Sequence, residues 1–244
     1  MQKTNNPTNT SRRRFLGTLT TGAAAMSFAG IISPIQQLRA NAGSTTDVAG
    51  NTDPDAWFKQ LKGKHRIVFD VTQPHGVFPF AWPKVFLMTN AATGSSEKDC
   101  GVVVVLRHDA IPYAFEDRLW AKYKFAEVFK AGELGPSFQA SDAATAASFR
   151  NPLWKPSKGD FQVPGIGVVQ IGINELQASG VMFCVCEAAM TVYSAALAEG
   201  MNMKPGDVLK DWKAGLLPGI QVVPSGVWAI GRAQEHGCGY CFAG

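Results

Sequence analysis

Five stretches of the chain alternate too little, and are too rich in β-branched and aromatic residues, to be surface segments. HRIVFDVT (65–72), closed by Pro74 and Gly76, predicts a strand. CGVVVVLRH (100–108) holds four consecutive valines, the pattern of a strand buried on both faces. VMFCVC (181–186) and GIQVVPS (219–225) predict two more strands, and CGYCFA (238–243) a short last one. Between them apolar residues return at helical spacing. The predicted helices are WPKVFLMTNAAT (82–93) with Pro83 near its start, about 115–130 with Phe115, Leu119, Tyr123 and Ala126 on one side, and GVVQIGINELQAS (167–179), stopped by Gly180. EAAMTVYSAALAEG (187–200) and GVWAIGRAQEHG (226–237) follow. Strand and helix alternate to the end, so the expected fold is α/β, a three-layer α/β/α sandwich around a mostly parallel sheet.

Two regions break this rhythm. Residues 131–165 are rich in Gly, Pro, Ser and Ala, with isolated Phe138, Phe149 and Trp154, and are expected to form an insertion that packs down as a lid. The N-terminus joins Arg12 and Arg13 to Phe15 and Leu16, then a weakly apolar Gly/Ala/Thr stretch, and reaches Ala40-Asn41-Ala42. That order of charged, apolar and small residues predicts a twin-arginine export signal over 1–42, use of the twin-arginine translocon, and a periplasmic destination. A polar leader is expected over 43–64, then one domain over 65–244.

Removing the signal changes the charge. It holds Lys3, Arg12, Arg13, Arg14 and Arg39 and no acids, so 23 basic and 19 acidic side chains become 18 and 19, a net of −1. The basic balance belongs to the signal, and a nucleic-acid partner is not expected.

In an open parallel sheet, ligands bind beyond the carboxyl ends of the strands. His75 follows the first strand, His108 the second, Cys186 and Glu187 the third, and Ser225 the fourth. A thiol, two imidazoles, a carboxylate and a hydroxyl are thereby expected at one rim. Cys184 reads as a buried small hydrophobe, whereas Cys186 sits where a strand gives way to a helix, whose N–H groups favour a thiolate. An extended strand holds these two cysteines too far apart to bridge comfortably. Cys238 and Cys241 could form a structural disulfide or remain a partly exposed thiol pair. Soft sulfur with imidazole would suit copper or zinc, making Cys186, His75 and His108 candidate metal ligands, although no cofactor is specified.

With RIVFDVT, GVVVVLRHDAIPYA, NELQASGVMFCVCEAAMTVYSAALAEGM and VVPSGVWAIGRAQEHGCGY, the chain resembles the DsrE-like (YchN-like, sulfur-relay) superfamily from about residue 65 onward, outside the insertion. The resemblance implies a thiol at the end of the strand that carries sulfur, and Cys186 alone occupies that position. It also implies a trimer or hexamer, and a sulfur donor or acceptor protein as partner. The expected function is therefore sulfurtransferase-like persulfide binding or transfer through Cys186. The alternatives are a periplasmic module binding a metal, haem or small ligand, or an oligomeric scaffold without catalysis.

Overall fold

Val102 to Leu106 are sealed from solvent, and the strand they form is the middle of a five-stranded sheet. The computed structural model describes residues 54–244. The signal over 1–42 and the first part of the leader lie outside the described residues. In chain order the elements are α1 (Pro54–Phe58), β1 (His65–Val71), α2 (Phe78–Ala92), β2 (Cys100–Leu106), a 3₁₀ helix (His108–Ala114), α3 (Asp117–Tyr123), α4 (Phe125–Val128) and α5 (Ala143–Phe149). There follow β3 (Gln162–Val163), β4 (Gly167–Val168), α6 (Ile173–Ala178), β5 (Met182–Cys186), α7 (Glu187–Gly200), α8 (Pro205–Ala214), β6 (Ile220–Val223), α9 (Gly226–Glu235) and β7 (Gly239–Phe242). The main sheet runs β6-β5-β2-β1-β7, and every neighbouring pair is parallel.

Helices cover both faces of that sheet. On one, Val68, Val103, Val105, Cys184 and Val223 pack with Trp57, Phe58 and Leu61 and with Ala229 and Ala233 of α9. On the other, Phe80 of α2 stacks on Phe183 of β5 at 6.4 Å and meets Tyr113 edge-on at 5.1 Å. Each large apolar side chain so buried stabilises by about 1.5–3 kcal/mol, which holds the strands in one register. The α/β/α sandwich and the parallel sheet agree with the sequence pattern. Asp53–Met190 and Asp211–Gly244 form the unit that carries the sheet. Thr191–Lys210 belong to a separate unit, helical at both ends, with Asn202 in the left-handed region between (φ 53°).

Several boundaries differ from the sequence expectation. The end of the leader is part of the fold: Trp57, Phe58 and Leu61 are core residues. Helix α2 starts at Phe78, so Pro79 occupies its first turn and Pro83 lies inside it. Burial of Phe80, Pro83 and Leu87 offsets the missing proline N–H. The helix expected over about 115–130 breaks at Lys124, whose left-handed backbone (φ 53°) separates α3 from α4 and swings Phe125 onto Trp212 at 5.2 Å.

The helix expected over 167–179 is shortened to α6. Gly172 caps it, because a Cβ there would meet Pro156 at 2.6 Å, and the Glu175 carboxylate accepts the Gly172 N–H at 2.9 Å. The stretch 131–165 has structure of its own in α5 and β3. Phe138 packs on Phe161 at 5.2 Å, and Asn151 donates to the carbonyls of Tyr113 and Phe115, but Phe149 stays exposed. Helix α8 has no counterpart in the sequence expectation.

Candidate functional site

Strand β5 ends on Cys186, and α7 begins on the next residue. The first turn of a helix leaves N–H groups without partners in the helix. Here the Ala188 N–H donates to the Pro224 carbonyl at 3.2 Å, and the Ala189 N–H donates to Cys186 Sγ at 3.3 Å. The thiol sulfur thus caps the helix, three residues before the amide that it accepts, where the helix dipole favours negative charge.

Cys184 sits two residues back on the same face, wholly buried among Val105, Val223 and the α9 alanines. Burial pushes its thiol well above the ordinary range. Both cysteines are buried, but they differ in place: Cys184 is sealed in the core at 0 % exposure, and Cys186, at 6 %, ends the strand against the first turn of α7.

The neighbours of Cys186 come from adjacent strands. Leu106 pairs with Val185, so Arg107 and Cys186 are the next residues along that register, beyond the last paired position. Arg107 reaches sideways to Asp70, donating from Nε to Oδ1 at 2.6 Å and from Nη2 to Oδ2 at 2.9 Å. The Tyr240 hydroxyl of β7 donates to the same carboxylate at 2.9 Å. Asp70 is only 2 % exposed, and a buried carboxylate needs such partners. Across β5, β2, β1 and β7 the rim therefore carries a thiol, a guanidinium, a carboxylate and a phenol in strand order. The guanidinium's proton affinity is raised, first by the hydrogen bond to Asp70 and then by the charge of that carboxylate.

Asp70, Arg107 and Tyr240 were not anticipated. The signals were present: Asp70 is the one acid inside the apolar stretch 67–71, and Arg107 directly follows the sealed strand β2.

The anticipated supporting residues are placed otherwise. His75 is exposed and tilts against Phe78 at 5.3 Å. His108 adopts a left-handed backbone (φ 50°), and its Nδ1 lies 3.3 Å from Asp109 Oδ1 with the ring largely in solvent. That hydrogen bond raises the imidazole above its ordinary range. Glu187 forms an ion pair with Lys213. Ser225 caps α9, its Oγ accepting the Trp228 N–H at 3.2 Å. Among the described residues no three His, Cys, Asp or Glu side chains converge to hold a metal ion, so Cys186, His75 and His108 are not gathered into a ligand set.

Cys238 and Cys241 are both free thiols. Cys238 belongs to the core beneath α9, and burial pushes it up to about 11. Cys241 is half-buried on edge strand β7, and an odd separation along extended chain turns the two side chains to opposite faces. No described helix is long and apolar enough to cross a membrane.

No family model matches this sequence, and no curated protein matches it. Among solved structures, that of a protein of unknown function from Methanobacterium thermoautotrophicum aligns at 17 % identity over 73 % of this chain and 99 % of that chain, with a TM-score of 0.36.

Proposed function

We propose that the protein is a sulfur carrier in which Cys186 accepts sulfane sulfur as a persulfide and passes it on. The observation that carries this reading is the hydrogen bond from the Ala189 N–H to Cys186 Sγ at 3.3 Å. It places the thiol sulfur at a helix N-terminus, where anionic sulfur is stabilised. The resemblance of GVMFCVC to the sulfur-carrying strand of DsrE-like proteins supports the same residue. With Arg12 and Arg13 read as a twin-arginine signal, the proposal extends to an exported protein.

The transfer needs no oxidant. The Cys186 thiolate attacks the outer sulfur of a donor persulfide R–S–SH, and a new S–S bond forms at Sγ. The donor S–S bond breaks, and its electron pair leaves with the inner sulfur as R–S⁻. The outer sulfur keeps its proton. A second thiolate, on an acceptor, repeats the step in the other direction.

The test is loading with glutathione persulfide, removal of donor, and measurement of sulfide released by dithiothreitol. Wild-type protein and Cys184→Ala should release about one equivalent, and Cys186→Ser should release none. Equal release from Cys186→Ser would rule the reading out.

A further inference from the structure

Arg107 has more donors than its visible partners use. Nε and Nη2 both serve Asp70, while Nη1 donates to no acceptor among the described residues. The side chain keeps 26 % of its surface in solvent, and Nη1 is not among the buried polar atoms without a partner. One guanidinium nitrogen is thus open to solvent, on the residue that lies next to Cys186 in the register of β2 and β5.

Its position is set from two sides. Swinging the guanidinium away would leave Asp70 buried with Tyr240 alone, a costly state for a carboxylate. Gly226 packs on the other side: a Cβ there would lie 2.6 Å from both Cβ and Cδ of Arg107. A fixed guanidinium loses little freedom on binding and offers its remaining N–H groups in a set plane, which suits a carboxylate or sulfonate. Asp70 cancels much of the guanidinium's charge at a distance. The gain on binding an anion is therefore a short-range hydrogen bond and not long-range steering.

We infer that Arg107 sets donor specificity, selecting sulfane-sulfur donors that carry a carboxylate or sulfonate close to the reacting sulfur. The anionic end is held by Nη1 while Cys186 Sγ attacks the outer sulfur. The donor S–S bond then breaks, and the electron pair leaves with the inner, anion-bearing thiolate. This rests on the reading of Cys186 as the sulfur-accepting thiol, but anion selection can be measured without sulfur transfer.

Iodoacetate and iodoacetamide differ in one charge and alkylate the same sulfur. Their rate ratio at Cys186 is measured by peptide fragmentation, which separates it from Cys184, in native protein and referred to the same residue in unfolded protein. Native structure should raise the iodoacetate share by about tenfold, the worth of one charge-assisted hydrogen bond. Arg107→Gln should return the ratio to the unfolded value, and Arg107→Lys should retain part of the gain. Should Arg107→Gln fail to fold, the native-to-unfolded ratio of wild type and of Arg107→Lys decides the question.

Sulfur loading from the persulfides of 3-mercaptopropionate and 2-mercaptoethanol completes the test. An anionic donor preferred by wild type and lost in Arg107→Gln supports the inference. An unshifted alkylation ratio overturns it, even if both donors load Cys186. A shifted ratio with no loading from either donor would instead overturn the carrier function and leave the anion-recognising Arg107 standing.

Discussion

Two carboxylates in this molecule each gather an arginine and a tyrosine, yet the surroundings give them different work. Asp70 lies inside the sheet and takes Arg107 and Tyr240 from flanking strands. Asp211 lies on α8 and takes Arg118, Lys122 and Tyr123 from α3, with both cations 46 % exposed. Arg118 has every nitrogen engaged: Nε with Glu116, Nη1 with the Asp211 carboxylate and Nη2 with its carbonyl. Arg107 has one nitrogen left over and a thiol as neighbour. The same groups make a surface tie in one place and, in our reading, a binding position in the other. What separates them is the donor that remains after the internal partners are satisfied.

The largest expected difference between the two clusters is in what arginine removal costs. Arg107→Ala strands the buried Asp70 carboxylate and should destabilise by about 3 kcal/mol in urea unfolding. Arg118→Ala, at an exposed tie, should cost below about 1 kcal/mol. Equal costs would erase the distinction.

Acid sharpens the comparison from the other side. Burial opposes ionisation of Asp211, but the hydrogen bonds from Lys122, Arg118 and Tyr123 outweigh it and hold the carboxyl at about 2. A depressed carboxyl contributes stability that is present above its unfolded value, about 3.9, and lost as pH falls through the folded value. Asp211→Asn should therefore cost about 1 kcal/mol at neutral pH, with the half-exposed cations discounted for screening, and nothing once both forms are protonated near pH 1. Urea midpoints across that range check it.

Cys184→Ala should cost about 1 kcal/mol through the lost sulfur contacts while leaving sulfur loading intact. The smallest effect belongs to His108, whose imidazole is raised by its Asp109 hydrogen bond. A raised histidine contributes stability below its unfolded value, about 6.5, that is lost as pH rises through the folded value. With the ring 59 % exposed, His108→Gln should cost only a few tenths of a kcal/mol near pH 5.5 and nothing near pH 8.5. Thermal unfolding at the two values separates these outcomes.

The strands were legible because burial on both faces leaves an unambiguous trace, as in the four valines of β2. The thiol at the end of β5 was legible for the same reason: the apolar run stops there. What surrounds it was not. Strand order decides which rim residues are neighbours, and the order β6-β5-β2-β1-β7 brings β7, last in sequence, next to β1. Tyr240 therefore meets Asp70 across 170 positions of chain, a contact that no local pattern records. His75 and His108 follow β1 and β2 in the chain, but rim position does not fix direction. The left-handed backbone at His108 accompanies a ring turned to Asp109 and solvent, and Ser225 is used by the helix that it caps.

The central claim is that Cys186, and none of the other four cysteines, takes sulfur in the folded protein. The most direct measurement is peptide mapping of native protein after brief exposure to a persulfide donor, with remaining thiols blocked before digestion. The account predicts a gain of one sulfur atom that fragment ions locate on Cys186 and not on Cys184, which shares its peptide, with Cys238 unmodified and the half-buried Cys100 and Cys241 blocked as ordinary thiols. Sulfur on Cys100 or Cys241 with Cys186 unmodified, or on Cys186 only after unfolding, would contradict it.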